Sequence, residues 1–341
     1  MENVPHKLIL NTTSNFLKEN LSQKENELLL KANLLNPWFT IQNIVFSMES
    51  WLNALTNENI EHWLQKEASY LKSKNQTKKV GLILAGNIPM VGLHDLLCVW
   101  LSGNTAMIKL SSQDNILMKA YIEYMTEALP ILKELTILSD GVIKEADAFI
   151  GTGSNNSARY FEYYFKNKPH IIRKNRNSVA VISNNTSDQE LEALGMDIFS
   201  YFGMGCRNVT LLFIPIDFDM NRMIGAWEKH YEIIHHHKYA NNYTYHKAIL
   251  LMNLHEHLDT GYLLLNNKLE VHSPVSMLNY VKYHNIEEVS TFLEKESETI
   301  QCVASNALEL NNQSVALGNT QKTMLWDYAD NINTLQFLAT I

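Results

Sequence analysis

Seven prolines and 13 glycines among 341 residues are too few for a collagen-like or low-complexity chain. The three cysteines, Cys98, Cys206 and Cys302, are too few and too widely spaced for a disulfide framework or a CxxC metal motif. Positive charge is also scarce. Lys and Arg total 28 against 36 Asp and Glu, and the net charge of −8 disfavours nucleic acid and anionic lipid as partners. No apolar run is long enough for stable membrane insertion, because the most apolar stretch, from Val80 to Leu101, contains Asn87, Pro89, His94 and Asp95. The amino terminus carries Glu2, Asn3, His6, Asn11 and Asn15 where a signal peptide needs an apolar segment, so a cytoplasmic location is expected. What the chain does have is 46% hydrophobic residues, enough for a sizeable core. Its length suggests two lobes at roughly 150 residues per domain.

The first seventy or so residues read as helices, with Leu28, Leu29, Ala32 and Leu35, then Ile44, Met48, Trp51, Leu52 and Leu55, then Ile60, Trp63 and Leu64 near the helical period. From Val80 the pattern becomes an alternation of buried strands and helices: Val80–Ala85, Val91–Leu101, Ala106–Leu110, Ile116–Leu132, Leu135–Leu138, Ala148–Ile150 and Ala158–Phe165. Continuous apolar strands alternating with helices predict a parallel sheet covered on both faces. A strand at Val179–Ile182 leads into Ser187 and Glu190, at capping-box spacing. The helix they open is expected to carry Leu191, Leu194, Ile198 and Phe202 on one face and to stop at Gly203. The strand Val209–Ile214 follows.

Cys98 sits within an apolar helix and Cys302 follows a charged one, so both read as structural. Cys206 lies in a glycine-flanked loop, Gly203-Met204-Gly205-Cys206, beside Arg207, and reads equally as a nucleophile or as a tight-turn cysteine. Two strand ends are small and polar, Gly86-Asn87-Ile88-Pro89 and Gly151-Thr152-Gly153-Ser154, and each precedes a helix amino terminus where phosphate is favoured. Asn156 stands where a dinucleotide fingerprint would have its third glycine. The run His235-His236-His237 reads as a solvated loop and no metal site is expected, because no carboxylate sits at ligand spacing.

Taken in order, Leu84-Ala85-Gly86-Asn87-Ile88-Pro89, Leu101-Ser102-Gly103-Asn104, Ile108-Lys109-Leu110-Ser111-Ser112, Gly151-Thr152-Gly153-Ser154 and Phe202-Gly203-Met204-Gly205-Cys206-Arg207-Asn208 resemble the LuxC-type acyl-CoA reductase family of the aldehyde dehydrogenase superfamily. Gly318-Asn319-Thr320-Gln321 and the segment from Trp326 to Leu338 are similar to that family's tail. The resemblance implies an aldehyde dehydrogenase-like α/β fold, with two parallel-type α/β lobes and a helical amino-terminal region. Residues 1–177 would hold the helical region and an NADP-binding domain, and residues 178–341 a catalytic thiol domain with the carboxy-terminal tail.

By the same resemblance Cys206 corresponds to the catalytic thiol and Asn87 to a side-chain donor of the oxyanion hole. Lys109 corresponds to a ribose contact. Ser111 and Ser112 stand where NAD-preferring members often carry a glutamate, which points to NADPH. Gly153 and Ser154 match the pyrophosphate loop, and Glu270, in Glu270-Val271-His272-Ser273-Pro274-Val275, matches the glutamate that holds the nicotinamide ribose. The stretch Ile172–Asn177 replaces the segment that carries a general-base glutamate in hydrolytic members. Its Arg173, Lys174 and Arg176 read either as contacts for CoA or NADP phosphates or as a solvated basic face.

The implied activity is NADPH-dependent reduction of a fatty acyl-CoA or acyl-thioester to the aldehyde. The same machinery run oxidatively, or a non-redox acyltransferase using the same thiol, are the alternatives. The implied partners are an acyl-CoA or acyl-thioester, a second copy of the chain joined in part through the apolar tail Leu335–Ile341, and an acyl-transferring enzyme.

Overall fold

The computed structural model describes residues 5–23, 26–72, 76–153, 155–306, 310 and 314–341. They form two compact units. The first comprises Met1–Asn175 together with Thr323–Ile341, and the second Arg176–Lys322.

In the first unit four helices, His6–Ser22, Glu27–Leu35, Ile41–Ala54 and Asn57–Lys66, precede the sheet. Side-chain oxygens of Asn26, Thr40 and Thr56 cap the last three of these helices, in keeping with the preference of such residues for helix starts. Their apolar faces supply Ile9, Leu17, Ile44, Met48 and Trp63 to the same core as Val80 and Leu82. The strands are β1 (Lys79–Ile83), β2 (Thr105–Lys109), β3 (Thr136–Leu138), β4 (Ala148–Thr152) and β5 (His170–Arg173), in the order β3-β2-β1-β4-β5. All pairings are parallel.

Three features of this unit differ from the sequence expectation. The strand β5 was not anticipated, because only Ile171 and Arg173 of its four residues are buried and its apolar signal is too short. The helix expected over Ile116–Leu132 is two helices, Asn115–Ala128 and Pro130–Glu134. Leu129 is extended, the conformation favoured before proline. The third concerns the tail, expected with the second domain. Leu325, Tyr328, Leu335 and Leu338 are instead buried in the first unit's core. Leu335 and Leu338 are fully enclosed within this chain and are not available to a second copy.

The second unit contains β6 (Asn177–Val181), β7 (Val209–Pro215), β8 (His257–Asp259), β9 (Leu264–Asn267), β10 (Met277–Tyr283), β11 (Ile300–Ser305) and β12 (Ser314–Val315). Their order is β12-β11-β6-β7-β10-β9-β8. Among the described residues only the edge pair β8 and β9 is antiparallel. Alternate residues of the central strands enter different cores. Ala180, Leu212 and Ile214 pack in one, and Val179, Val181, Leu211 and Phe213 in another. Burial of both faces is why these strands read as unbroken apolar runs.

The helix Asp188–Phe199 starts at the expected capping box of Ser187 and Glu190 but ends before Phe202. Tyr201 and Phe202 have left-handed backbone (φ 52° and 58°), so Phe202 leaves the helical stripe. The histidine run is a correction of another kind. His235 ends a 3₁₀ segment and His237 begins the helix His237–Met252, so this is regular structure and not a loop. Among the described residues no group of three or more His, Cys, Asp or Glu side chains is placed to hold a metal, and no helix is long and apolar enough to cross a membrane.

Candidate active site

In the second unit the chain reverses between the helix Asp188–Phe199 and β7, and this reversal carries Cys206. Gly203 adopts φ +78°, a conformation that favours glycine, directly after the left-handed Tyr201 and Phe202. The side chain of the fully buried Asn208 closes the loop. Its Oδ1 accepts from Gly205 N (2.8 Å), while Nδ2 donates to Ser200 O (2.8 Å) and Asp197 O (3.0 Å). One amide thereby satisfies carbonyls left over at the helix end and fixes the loop.

The Asp197 carboxylate accepts from Gly318 N, Thr320 N and Thr320 Oγ1. Thr320 O in turn accepts from Arg207 Nη1 at 3.3 Å. Cys206 is half-buried in this frame. Glu270 is exposed, ion-paired to Lys268, and its backbone carbonyl accepts from Asn279 Nδ2. Next to it, Val271 O accepts from Thr210 Oγ1 at 2.6 Å. The second unit therefore ties the segment bearing Glu270 to the strand that leaves the Cys206 loop. Asn208 and Asp197 carried no assigned role in the sequence reading. An asparagine two residues after a glycine-flanked cysteine was the visible signal for the first; nothing local marked the second.

Cys98 differs in every respect. It is fully buried, and burial pushes its thiol well above the ordinary value, as suits a structural cysteine.

In the first unit Asn87, Lys109, Ser111, Ser112 and Gly153 all lie at or just beyond the carboxyl ends of the adjacent strands β2, β1 and β4. Ser154 lies outside the described residues. Leu84 N donates to Lys109 O (3.1 Å) and Gly153 N to Arg173 O (3.3 Å), so the strand ends are held level. A Cβ on Gly86 would stand 2.5 Å from Ser111 Oγ, so only glycine lets the two loops approach this closely. Lys109 and Ser111 are half-buried and Ser112 is exposed, leaving an ammonium and two hydroxyls beside this cradle and no carboxylate at the two serine positions. The donor set fits the ribose and phosphates of a dinucleotide, and the helix Asn155–Phe165 begins two residues after Gly153.

Asp114 links the same two loops. Its Oδ2 accepts from Met90 N at 2.7 Å, and Met90 itself is left-handed (φ 57°). Burial pushes the Asp114 carboxyl up to about 8, against the lowering effect of the Met90 and Met118 amides. The unfolded chain releases this proton near 3.8, so between those values folding takes up a proton and stability declines as pH rises. The slope is about 1.4 kcal/mol per pH unit inside the window, vanishing above it. Asp114→Asn is expected to lack this component. Its melting temperature relative to the wild type should climb from pH 4 to pH 8 and then level off; a pH-independent offset would contradict the assignment.

The basic stretch is not one face: Arg173 is buried in the first unit, while Lys174 is exposed. Arg173 is only 5% exposed, ion-paired through Nη1 to Asp95 and hydrogen-bonded through Nη2 to Thr334 Oγ1 (2.9 Å). Lys174 pairs with Glu162 at 2.7 Å, and Arg176 donates to the carbonyls of Ser297 and Ile300.

Residues 10–224 match the family model described as acyl-CoA reductase (LuxC). A long-chain acyl-protein thioester reductase from Aliivibrio fischeri is 26% identical over 163 residues, which cover 43% of this chain and 34% of the relative. A long-chain acyl-protein thioester reductase 2 from Photobacterium leiognathi is 24% identical over 194 residues, 51% of this chain and 40% of the relative. The matched chain thus spans well under half the length of either relative. Among solved structures, aldehyde dehydrogenase 21 from Physcomitrella patens in complex with the reaction product succinate superposes with a TM-score of 0.67 at 11% identity, over 91% of this chain and 74% of its own. The fold is therefore aldehyde dehydrogenase-like. Since the family match runs from the amino-terminal helices through the Cys206 loop, more than half the chain, the protein belongs to the acyl-CoA reductase (LuxC) family.

Proposed function

We propose that the protein is a cytoplasmic NADPH-dependent reductase that converts a fatty acyl thioester to the aldehyde through an acyl group carried on Cys206. The observation that carries this reading is the Cys206 loop, a half-buried thiol in a frame fixed by Asn208 and by the left-handed turn at Gly203. The Cys206 thiolate attacks the acyl carbonyl, the carbonyl oxygen takes the charge, and the donor thiol leaves as a thioester forms. The Cys206 backbone N–H and the Asn87 amide are assigned as donors to that oxyanion.

No carboxylate stands in Ile172–Asn177, where hydrolytic relatives carry their base, so the acyl group is retained for reduction. Lys109, Ser111, Ser112, Gly153 and Ser154 are assigned to NADPH in the first unit, and Glu270 to its nicotinamide ribose. When bound, the nicotinamide supplies the two-electron reduction. The serines at 111 and 112 favour a 2′-phosphate over the acidic side chain that would repel it. The names of the two curated relatives support an acyl group delivered on a protein, with acyl-CoA as the small-molecule equivalent.

The test mixes the protein, NADPH and acyl-CoAs of graded chain length, following nicotinamide absorbance and the mass of the Cys206 peptide. Oxidation of NADPH with a transient acyl adduct on Cys206 is expected. An adduct without oxidation would favour a non-redox acyltransferase, and no adduct at all would overturn the thiol assignment.

A further inference from the structure

The two peptide planes that flank Cys206 are each pinned. In the plane before it, Gly205 O accepts from Asn208 N at 3.0 Å. Because a trans peptide sets its C=O and N–H in opposite directions, this aims the Cys206 N–H. In the plane after it, Cys206 O accepts from Ser178 Oγ at 3.1 Å, across 28 residues of sequence. With both planes held, the φ and ψ of Cys206 are set, and with them the direction of the Cα–Cβ bond from which the thiol projects.

Ser178 is fully buried on β6, at a level where both neighbouring strands slip register. Ser178 faces Val209 and Val179 faces Leu211, so Thr210 is the extra residue on β7. On the other side the pairing shifts between Ile300 and Val303 of β11. Such bulges re-aim side chains. Here they accompany a contact of Cys302 Sγ with Ser178 Oγ at 3.1 Å. A hydroxyl has one proton, and Ser178 gives it to the Cys206 carbonyl, so the Cys302 thiol is the donor in this second contact. The result is a directed chain from the Cys302 thiol through the Ser178 hydroxyl to the Cys206 carbonyl.

We propose that Ser178 is a positioning residue for the Cys206 thiol and that Cys302 orients the Ser178 hydroxyl for this role. The inference rests on Cys206 being the reacting thiol. Removing the Ser178 hydroxyl releases one of the two pinned planes, and a displacement of the nucleophile by a fraction of an ångström is enough to slow attack.

The experiment measures two rates on the full chain: alkylation of Cys206 by iodoacetamide, read from the mass of its peptide, and acylation of Cys206 by an acyl-CoA in a single turnover. Ser178→Ala is expected to lower both by about tenfold, with the KM for acyl-CoA within about twofold of the wild type. Cys302→Ala is expected to lower alkylation a few-fold, and Cys302→Ser, which keeps a donor, to restore it. This second pair decides the matter if Ser178→Ala does not fold. Wild-type alkylation rates in Ser178→Ala, or equal rates for the two Cys302 variants, would overturn the proposal. Failure of the activity reading is distinct: it leaves the wild type without an acyl adduct, while the alkylation comparison still tests the positioning.

Discussion

Cys206→Ala is expected to lower acyl-thioester-dependent NADPH oxidation by about a thousandfold or more, the scale of loss seen when a covalent nucleophile is removed. Its affinity for NADPH, measured by thermal shift or equilibrium fluorescence, should stay within about twofold. The residues assigned to the cofactor's phosphates belong to the first unit and Cys206 to the second, so removing one sulfur leaves the phosphate site intact. Iodoacetamide should discriminate the cysteines in the same way. Cys206 is half-exposed and reacts, whereas Cys98 is enclosed and its thiolate is disfavoured by burial. Retained turnover in Cys206→Ala would remove the thioester mechanism altogether.

The largest stability effect is expected at Arg173. Asp95 and Arg173 are 7% and 5% exposed, and Thr334 is the hydroxyl that accepts from the guanidinium. Truncating Arg173 to alanine strands the Asp95 carboxylate in the core, which typically destabilises by about 3–5 kcal/mol. Replacing both partners, as Arg173→Met with Asp95→Leu, should recover most of the loss, because a dry apolar pair leaves no charge uncompensated. Urea unfolding followed through the fluorescence of the fully buried Trp63 and Trp100, both in the first unit, reads the effect directly. A loss below about 1 kcal/mol in Arg173→Ala would mean that water reaches the pair, as at a surface ion pair.

Much of the fold was legible because its signals are local. The central strands are unbroken apolar runs, the capping box of Ser187 and Glu190 announces its helix, and the Gly203-Met204-Gly205-Cys206 loop stands between two such elements. What stayed hidden depends on distant partners. Arg173 looks like surface charge until Asp95 and Thr334, 78 and 161 residues away, are placed beside it. Phe202 fits the helical stripe by spacing, yet the left-handed turn that presents the thiol loop takes it off the helix. Ser178 is one more small residue in an apolar strand until its neighbours slip register on both sides. Cys302 was read as structural for the same reason.

The last 19 residues, Thr323–Ile341, complete the core that the first 175 residues begin, and the whole second unit is inserted between them. On the ribosome this imposes an order. The second unit's residues are all joined before Leu325, Leu335 and Leu338 exist to fill the first unit, whose helix Leu93–Leu101 must wait for its packing partner Thr334–Thr340. A nascent chain that ends near Lys322 therefore lacks the residues that close the first unit's core, and that unit can finish folding only after the second has been synthesised.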